Sequence, residues 1–206
     1  MCGFIGIYGP EGVDVAGEVY EGLLAVQHRG QDAAGITTFT DSFHVKKGLG
    51  LVLEVFNEQN MSRLRGNLGV GHVRYPTLGG NQGEDAQPFH LPYPLGVAMA
   101  HNGNLSNYEE LVERYFRNTA TRLNSTCDLE VILYVFVQAL QERIGTGRQI
   151  LPEDVFYAVS VVHREVRGAY SVVATMPDVG LVCFRDPYGI KPIIFGEKVT
   201  DEGKWF

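Results

Sequence analysis

Met1-Cys2-Gly3-Phe4-Ile5-Gly6-Ile7-Tyr8 opens the chain, and Gly9-Pro10 closes the run. A short apolar stretch cut off by a Gly-Pro pair predicts a buried strand over Gly3 to Tyr8. Cys2 then sits at the free end of that strand, directly behind the initiator methionine. A cysteine in such a place is ordinarily inert filler. It acquires another meaning once Met1 is removed, because one residue then carries both a thiol and an α-amine. The amine titrates near ~7.7–8.0 and the thiol near ~8.5, so an N-terminal cysteine supplies nucleophile and base together, with no need for a catalytic histidine.

Outward from this strand, Asp14 is placed to cap a helix with Ala16, Val19, Tyr20, Leu23 and Leu24 at helical spacing, ending near Gly30. Gly35 to Phe39 and Phe43 to Lys47 flank Thr-Asp-Ser and read as a hairpin. Asn67 to Tyr75 and Gly96 to His101 read as strands. The loop between them, Pro76 to Pro88, holds Gly79, Gly80, Asn81 and Gly83 and is polar enough to be mobile; its part up to Asp85 suits a lid that orders when substrate binds. Ser106 and Glu109 form a capping box for a helix. Further helices are expected over Asp128 to Arg143 and Glu153 to Arg164. Strands follow at Ala169 to Thr175, Gly180 to Phe184 and Ile193 to Phe195, with a turn from Asp186 to Pro192. Hairpin-like strand pairs and grouped helices make this an α+β chain with mostly antiparallel sheets, read as one domain without repeats. Lys204-Trp205-Phe206 lacks the polar character of a natural tail, which hints at a longer parent chain.

The net charge of −7, with basic residues scattered singly or in pairs, argues against a nucleic-acid partner. Three cysteines, far apart and without histidines at ligand spacing, argue against both a disulfide framework and a metal site. The apolar segment Leu129 to Leu140 contains Glu130 and Gln138 and is too short to span a bilayer. With no signal-peptide pattern at the start, the expected compartment is the cytoplasm. Cys183 reads as core, and His44, His90 and His163 as surface or hydrogen-bonded side chains. Gly48-Leu49-Gly50-Leu51 reads as a strand boundary.

Two further segments carry chemistry. His101-Asn102-Gly103-Asn104 ends a strand, and an Asn amide beside a Gly N–H offers two donors for a developing oxyanion; taken alone, Asn-Gly is equally a turn dipeptide. In Gly71-His72-Val73-Arg74-Tyr75, strand alternation puts His72 and Arg74 on one face. Arg74 suits a carboxylate grip, or else a surface ion pair. Asp128, opening a helix after Ser125-Thr126-Cys127, could hold an ammonium group or simply favour the helix dipole. Together Arg74 and Asp128 would read the zwitterion of an amino acid.

Cys2-Gly3-Phe4-Ile5-Gly6, Gln27-His28-Arg29-Gly30-Gln31-Asp32-Ala33-Ala34-Gly35-Ile36, His72-Val73-Arg74-Tyr75-Pro76-Thr77, His101-Asn102-Gly103-Asn104-Leu105 and Asp186-Pro187-Tyr188-Gly189-Ile190-Lys191-Pro192 together resemble the class II glutamine amidotransferase domain. Within that class, the second and third motifs are most similar to the glutaminase half of the amidophosphoribosyltransferase family. The resemblance implies a four-layer αββα N-terminal-nucleophile hydrolase sandwich over residues 2–206. It implies Cys2 as nucleophile, Asn102 and Gly103 as oxyanion hole, and Arg74, Asp128 and Thr77 as glutamine ligands. Arg29 and Tyr75 are supporting residues, the former placing the N-terminal residue and the latter beginning the lid. The implied reaction releases ammonia from L-glutamine through a Cys2 thioester, for 5-phosphoribosylamine formation in purine synthesis. No cofactor is implied in this domain. Magnesium and phosphoribosyl pyrophosphate would belong to a phosphoribosyltransferase domain, in cis or in trans, that this chain does not carry, within a homo-oligomer. The alternatives are a different ammonia acceptor, in amino-sugar or asparagine synthesis, or a glutamine-sensing module without turnover.

Overall fold

Gly3–Tyr8 forms the first strand, β1, and its register decides what lies near Cys2. The structure is a computed structural model, and it describes residues 1–75, 83–92, 96–117, 119–145 and 149–206. β1 pairs antiparallel with β4 (Leu68–Arg74), Gly3 standing opposite Val73, so Cys2 falls beside Arg74 and Tyr75. β4 in turn pairs with β2 (Ala33–Phe39), which pairs with β3 (Phe43–Leu49) as the expected hairpin. The first sheet thus has the order β1-β4-β2-β3.

A second antiparallel sheet runs β5 (Phe89–Leu91), β6 (Val97–Leu105), β7 (Gly168–Met176), β8 (Gly180–Arg185). The two sheets meet through Val70, Ala100 and Val173, with Phe4 and Leu181 packed against them. Outside the first sheet, α1 (Ala16–Ala25) and α2 (Val52–Val55) bury Val19, Leu23 and Val52 against Ile36 and Val73, and the short α3 (Glu58–Met61) adds Met61 to the margin. Outside the second sheet, α4 (Tyr108–Val112), α5 (Asp128–Ile144) and α6 (Pro152–Glu165) bury Leu111, Leu133, Phe136 and Val162 against Met99 and Val172. This is the αββα sandwich expected from the motifs. A final hairpin, β9 (Lys198–Thr200) and β10 (Gly203–Trp205), folds Trp205 into the first outer core, and Phe206 exchanges main-chain hydrogen bonds of 2.9 Å with Tyr8 in both directions. Among the described residues no helix is long and apolar enough to cross a membrane.

Several local readings are corrected, each by a tertiary partner. Asp14 does not cap α1; its Oδ1 accepts from the Gly66 N–H at 2.6 Å, and α1 stops at Ala25 before a single 3-10 turn over Gln27–Arg29. The Ser106–Glu109 capping box is not formed. Asn107 precedes α4, and both Ser106 and Asn107 hydrogen-bond instead to the chain around Glu165 and Arg167. Ile193 to Phe195 is not a strand, and Ile194 and Phe195 are exposed. Cys183 is exposed on β8 rather than core. β6 continues through His101-Asn102-Gly103 to Leu105, so this motif lies within a strand and not in a turn.

The polar loop is also revised where it can be seen. Thr77 and the rest of 76–82, which include Gly79, Gly80 and Asn81, lie outside the described residues. From Gly83 the chain makes a 3-10 turn, and Asp85, Ala86, Gln87 and Pro88 are buried.

Candidate active site

The start of β1, the end of β4, the later part of β6 and the first turn of α5 converge on one cavity of about 550 Å³, lined among others by Cys2, Arg74, Tyr75, Gly103 and Asp128. Each residue arrives for a local reason. Cys2 precedes β1, and its main-chain oxygen accepts from Arg29 Nε at 3.0 Å, so Arg29 grips the N-terminal residue. The Cys2 sulfur lies 3.5 Å from the Tyr75 N–H, just past the end of β4. Burial pushes this thiol up. The Tyr75 hydrogen bond, the N-terminal charge and Arg74 work against that rise, and Asp128 adds to it.

Arg74 ends β4 almost fully buried, 6% exposed. Its Nη2 lies 3.3 Å from Asp85 Oδ2, while its Nη1, also buried, meets no hydrogen-bond partner among the described residues. A buried guanidinium nitrogen without an acceptor is costly, and it lies at the wall of a cavity that could supply one. Alternation along β4 turns His72 to the same face, between the sheets, as the spacing predicted. Asn102 shares the inter-sheet face of β6 with Ala100 by the same rule and is buried. Gly103 stands opposite Tyr170, and a Cβ there would come within 2.6 Å of Tyr170 Cβ, so no side chain fits at this point of the wall.

Asp128 is the first residue of α5. Its Oδ2 accepts from the Leu105 N–H at 2.9 Å, and its Oδ1 lies 3.1 Å from His101 Nε2. The second contact is close but poorly aligned, since Nε2 reaches no acceptor in full hydrogen-bond geometry among the described residues. Burial would raise the Asp128 carboxyl, but His101 and the Leu105 N–H outweigh it and hold it below the usual range, so it stands ionised.

Sequence reasoning missed the residues that hold these groups. Asp85 accepts from both the N–H and the hydroxyl of Thr126, at 2.9 and 3.2 Å. Gln87 Oε1 accepts from the His101 N–H at 2.8 Å, and its Nε2 donates to His101 Nδ1 at 3.0 Å. Glu130, buried in α5, takes the N–H groups of Asn124 and Ser125 and the Ser125 hydroxyl, which shapes the turn before Asp128. The Ser125-Thr126 pair ahead of a helix was the one visible sign of that turn. Room for Gln87 comes from Gly35, where a Cβ would lie 2.1 Å from the Gln87 main-chain oxygen.

One group of potential metal ligands occurs among the described residues: the donor atoms of His101, Cys127 and Asp128 lie within 4.8 Å of one another. The donor set does not suit a cation. The Gln87 amide occupies His101 Nδ1 as an acceptor, which leaves the proton on Nε2, and burial keeps the Cys127 thiol protonated.

Two facing antiparallel sheets between helical layers, with a cysteine at the start of the first strand opening into the cavity, make the chain an N-terminal-nucleophile hydrolase fold. The profile of the glutamine amidotransferase domain matches residues 74–206, and the chain belongs to that family. It is 45% identical over 204 residues to the amidophosphoribosyltransferase of Pseudomonas aeruginosa, covering 98% of this chain and 40% of that protein. To the amidophosphoribosyltransferase of Schizosaccharomyces pombe it is 43% identical, covering 91% of this chain and 35% of that protein. Among solved structures, glutamine phosphoribosylpyrophosphate amidotransferase from B. subtilis superposes with a TM-score of 0.75 at 27% identity, over 100% of this chain and 41% of that one. A structure described as the allosteric regulatory enzyme of purine biosynthesis gives 0.78 at 29% identity, again over 100% and 41%. The chain therefore spans about two fifths of the length of these relatives.

Proposed function

We propose that this chain hydrolyses the side-chain amide of L-glutamine to glutamate and ammonia, with Cys2 as nucleophile. The observation that carries this reading is the buried Nη1 of Arg74, without a hydrogen-bond partner among the described residues, in a cavity that also exposes Cys2, Gly103 and the ionised Asp128. A guanidinium and a carboxylate in one small cavity suit the carboxylate and ammonium of an α-amino acid. The side chain is then left to reach the thiol.

Removal of Met1 places the α-amine on Cys2 itself. The amine takes the thiol proton as sulfur attacks the amide carbon, and the oxyanion is met by the Asn102 side-chain amide and the Gly103 N–H. The amine then passes the proton to the leaving nitrogen, the C–N bond breaks, and ammonia departs from a γ-glutamyl thioester. Water, deprotonated by the same amine, hydrolyses the thioester to glutamate and restores the thiol. Arg29 keeps the Cys2 peptide in place throughout. Thr77 joins the glutamine ligands on this reading, and Tyr75 opens the covering loop.

The names of the relatives support phosphoribosyl pyrophosphate as ammonia acceptor in purine synthesis, and the product there would be 5-phosphoribosylamine. That step falls to a phosphoribosyltransferase domain, in cis or in trans, with magnesium bound there, inside a homo-oligomer. The compartment proposed is the cytoplasm. The direct test treats the protein with a glutamine-like diazo ketone and follows ammonia release from glutamine. Stoichiometric labelling of Cys2, blocked by glutamine, is expected; labelling of Cys127 or Cys183 instead would overturn the assignment.

A further inference from the structure

Asp85 and Gln87 lie two residues apart in a buried stretch, and their side chains reach the turn before α5 from the end of β4 and from the middle of β6, respectively. Asp85 joins Arg74 at the end of β4 to Thr126, and it is 2% exposed. Gln87 joins His101 on β6 to Cys127, whose sulfur lies 3.4 Å from its Nε2. The stretch that carries them is fixed from outside. Lys47 Nζ donates to the Ala86 main-chain oxygen at 2.6 Å and rests 4.8 Å over the Phe89 ring. The turn that receives them is fixed by Glu130.

The bonding pattern has a chemical consequence at each end. With Nη2 occupied by Asp85, Arg74 can swing neither away from the cavity nor onto another acceptor, and Nη1 is the arm it presents. At the other end the Gln87 amide is oriented by the His101 N–H, so its Nε2 faces the ring. Nδ1 must then be an acceptor, and the ring proton sits on Nε2, which lies 3.1 Å from Asp128 Oδ1 and needs only a small realignment to donate to it. Thr126 and Cys127 are sequence neighbours, so the two arms share one anchorage.

We propose that Asp85 and Gln87 are positioning residues for amino-acid recognition, acting as one bracket: Asp85 aims Arg74 at the substrate carboxylate, and Gln87, through the His101 tautomer, holds Asp128 for the substrate ammonium. The proposal rests on the glutamine reading above. Neither residue touches the reacting atoms, so their loss weakens capture of the zwitterion and leaves the thiol chemistry largely in place.

The test uses the full chain with its native start and the variants Asp85→Asn and Gln87→Met. Each is expected to raise the glutamine KM about tenfold or more, the worth of one charge-assisted hydrogen bond, with a much smaller change in kcat. Cys2 alkylation by iodoacetamide, which has no zwitterion, should keep its rate, while labelling by the diazo ketone slows in step with KM. Asp85→Glu should recover part of the loss. In the unaltered protein, ring nitrogen NMR of His101 should show the Nε2–H form, and Gln87→Met should lose that single signature. Should Asp85→Asn fail to fold, Thr126→Val, which removes only the hydroxyl from Asp85, carries the same expectation of raised KM against held kcat. An unchanged KM, a fall in kcat alone, iodoacetamide slowed equally, or an Nδ1–H ring in the unaltered protein would each overturn the bracket. An unaltered protein that neither hydrolyses glutamine nor takes the diazo ketone overturns the glutamine reading itself, and the His101 spectrum still judges the geometry.

Discussion

His72 Nε2 lies 3.1 Å from the main-chain oxygen of His101, a hydrogen bond that joins β4 to β6 across the space between the sheets. The acceptor is a carbonyl, so Nε2 must carry the proton, and the buried Nδ1 has no partner among the described residues. Burial, the largest cause, pushes His72 from 6.5 down to about 3, and the Arg74 guanidinium works in the same direction. The folded chain therefore keeps this ring neutral at pH values where the unfolded chain protonates it. Stability should be level above the unfolded value and fall by about 1.4 kcal/mol per pH unit below it, toward the folded value. Urea unfolding at about pH 7.5, 5.5 and 4.5 measures this, with His72→Gln as comparison. An equal slope in the variant would show that the acid sensitivity comes from elsewhere.

Oxyanion and clamp residues should separate kinetically. Asn102→Ala is expected to depress kcat by roughly 100–1000-fold with little change in KM, as for loss of one oxyanion donor. Arg74→Ala and Asp128→Ala should act mainly on the glutamine requirement. Steady-state kinetics decide, and an Asn102→Ala effect confined to KM would remove it from the oxyanion hole.

Maturation offers a separate check on the base. The active protein should weigh one methionine less than the full sequence and carry a free amine on Cys2. Intact-mass analysis of the active fraction reads this directly. Activity in protein that keeps Met1 or bears an acetyl cap would exclude the amine from proton transfer.

Asp186 anchors the turn that follows β8. Its carboxylate, buried, accepts N–H groups from Tyr188 at 3.0 Å, Ile190 at 3.1 Å and Tyr170 at 3.3 Å. Burial would raise this carboxyl, yet the N–H groups of Ile190, Lys191, Tyr170 and Tyr188 prevail and hold it low. Its contribution is thus intact above the ordinary carboxylate range and is lost only as pH falls through the depressed value. Asp186→Ala should lower unfolding stability at neutral pH by about 3 kcal/mol, since it leaves several donors without an acceptor. Chemical denaturation measures it; a loss under half a kcal/mol, by the norm for surface changes, would mean that water satisfies the turn equally well.

What could be read from the chain followed the range of the forces involved. β1, the hairpin of β2 and β3, α5 and α6 are written in local periodicity and terminal Pro or Gly signals, and they lie where the spacing placed them. Asp14, Ser106 and Asn107 carry the chemistry of helix caps, yet each found a partner distant in sequence, which no local pattern reveals. Ile193 to Phe195 has the composition of a strand but pairs with no strand among the described residues. The site divides in the same way. Cys2, Arg74, Gly103 and Asp128 sit in recognisable motifs and line one cavity. Asp85 and Gln87 come from a stretch that looked like polar loop, because only long-range hydrogen bonds give them a purpose.

Gly35 shows how far such a dependence reaches. It belongs to the middle of the first sheet and borders no part of the cavity, yet any side chain there would collide with the Gln87 carbonyl. In a saturation scan scored on growth, position 35 should therefore group with the glutamine ligands and not with its strand neighbours. Alanine is the mildest substitution available and already too large. The residue's intolerance would be misfiled as a folding defect unless substrate affinity were measured on the fraction that still folds.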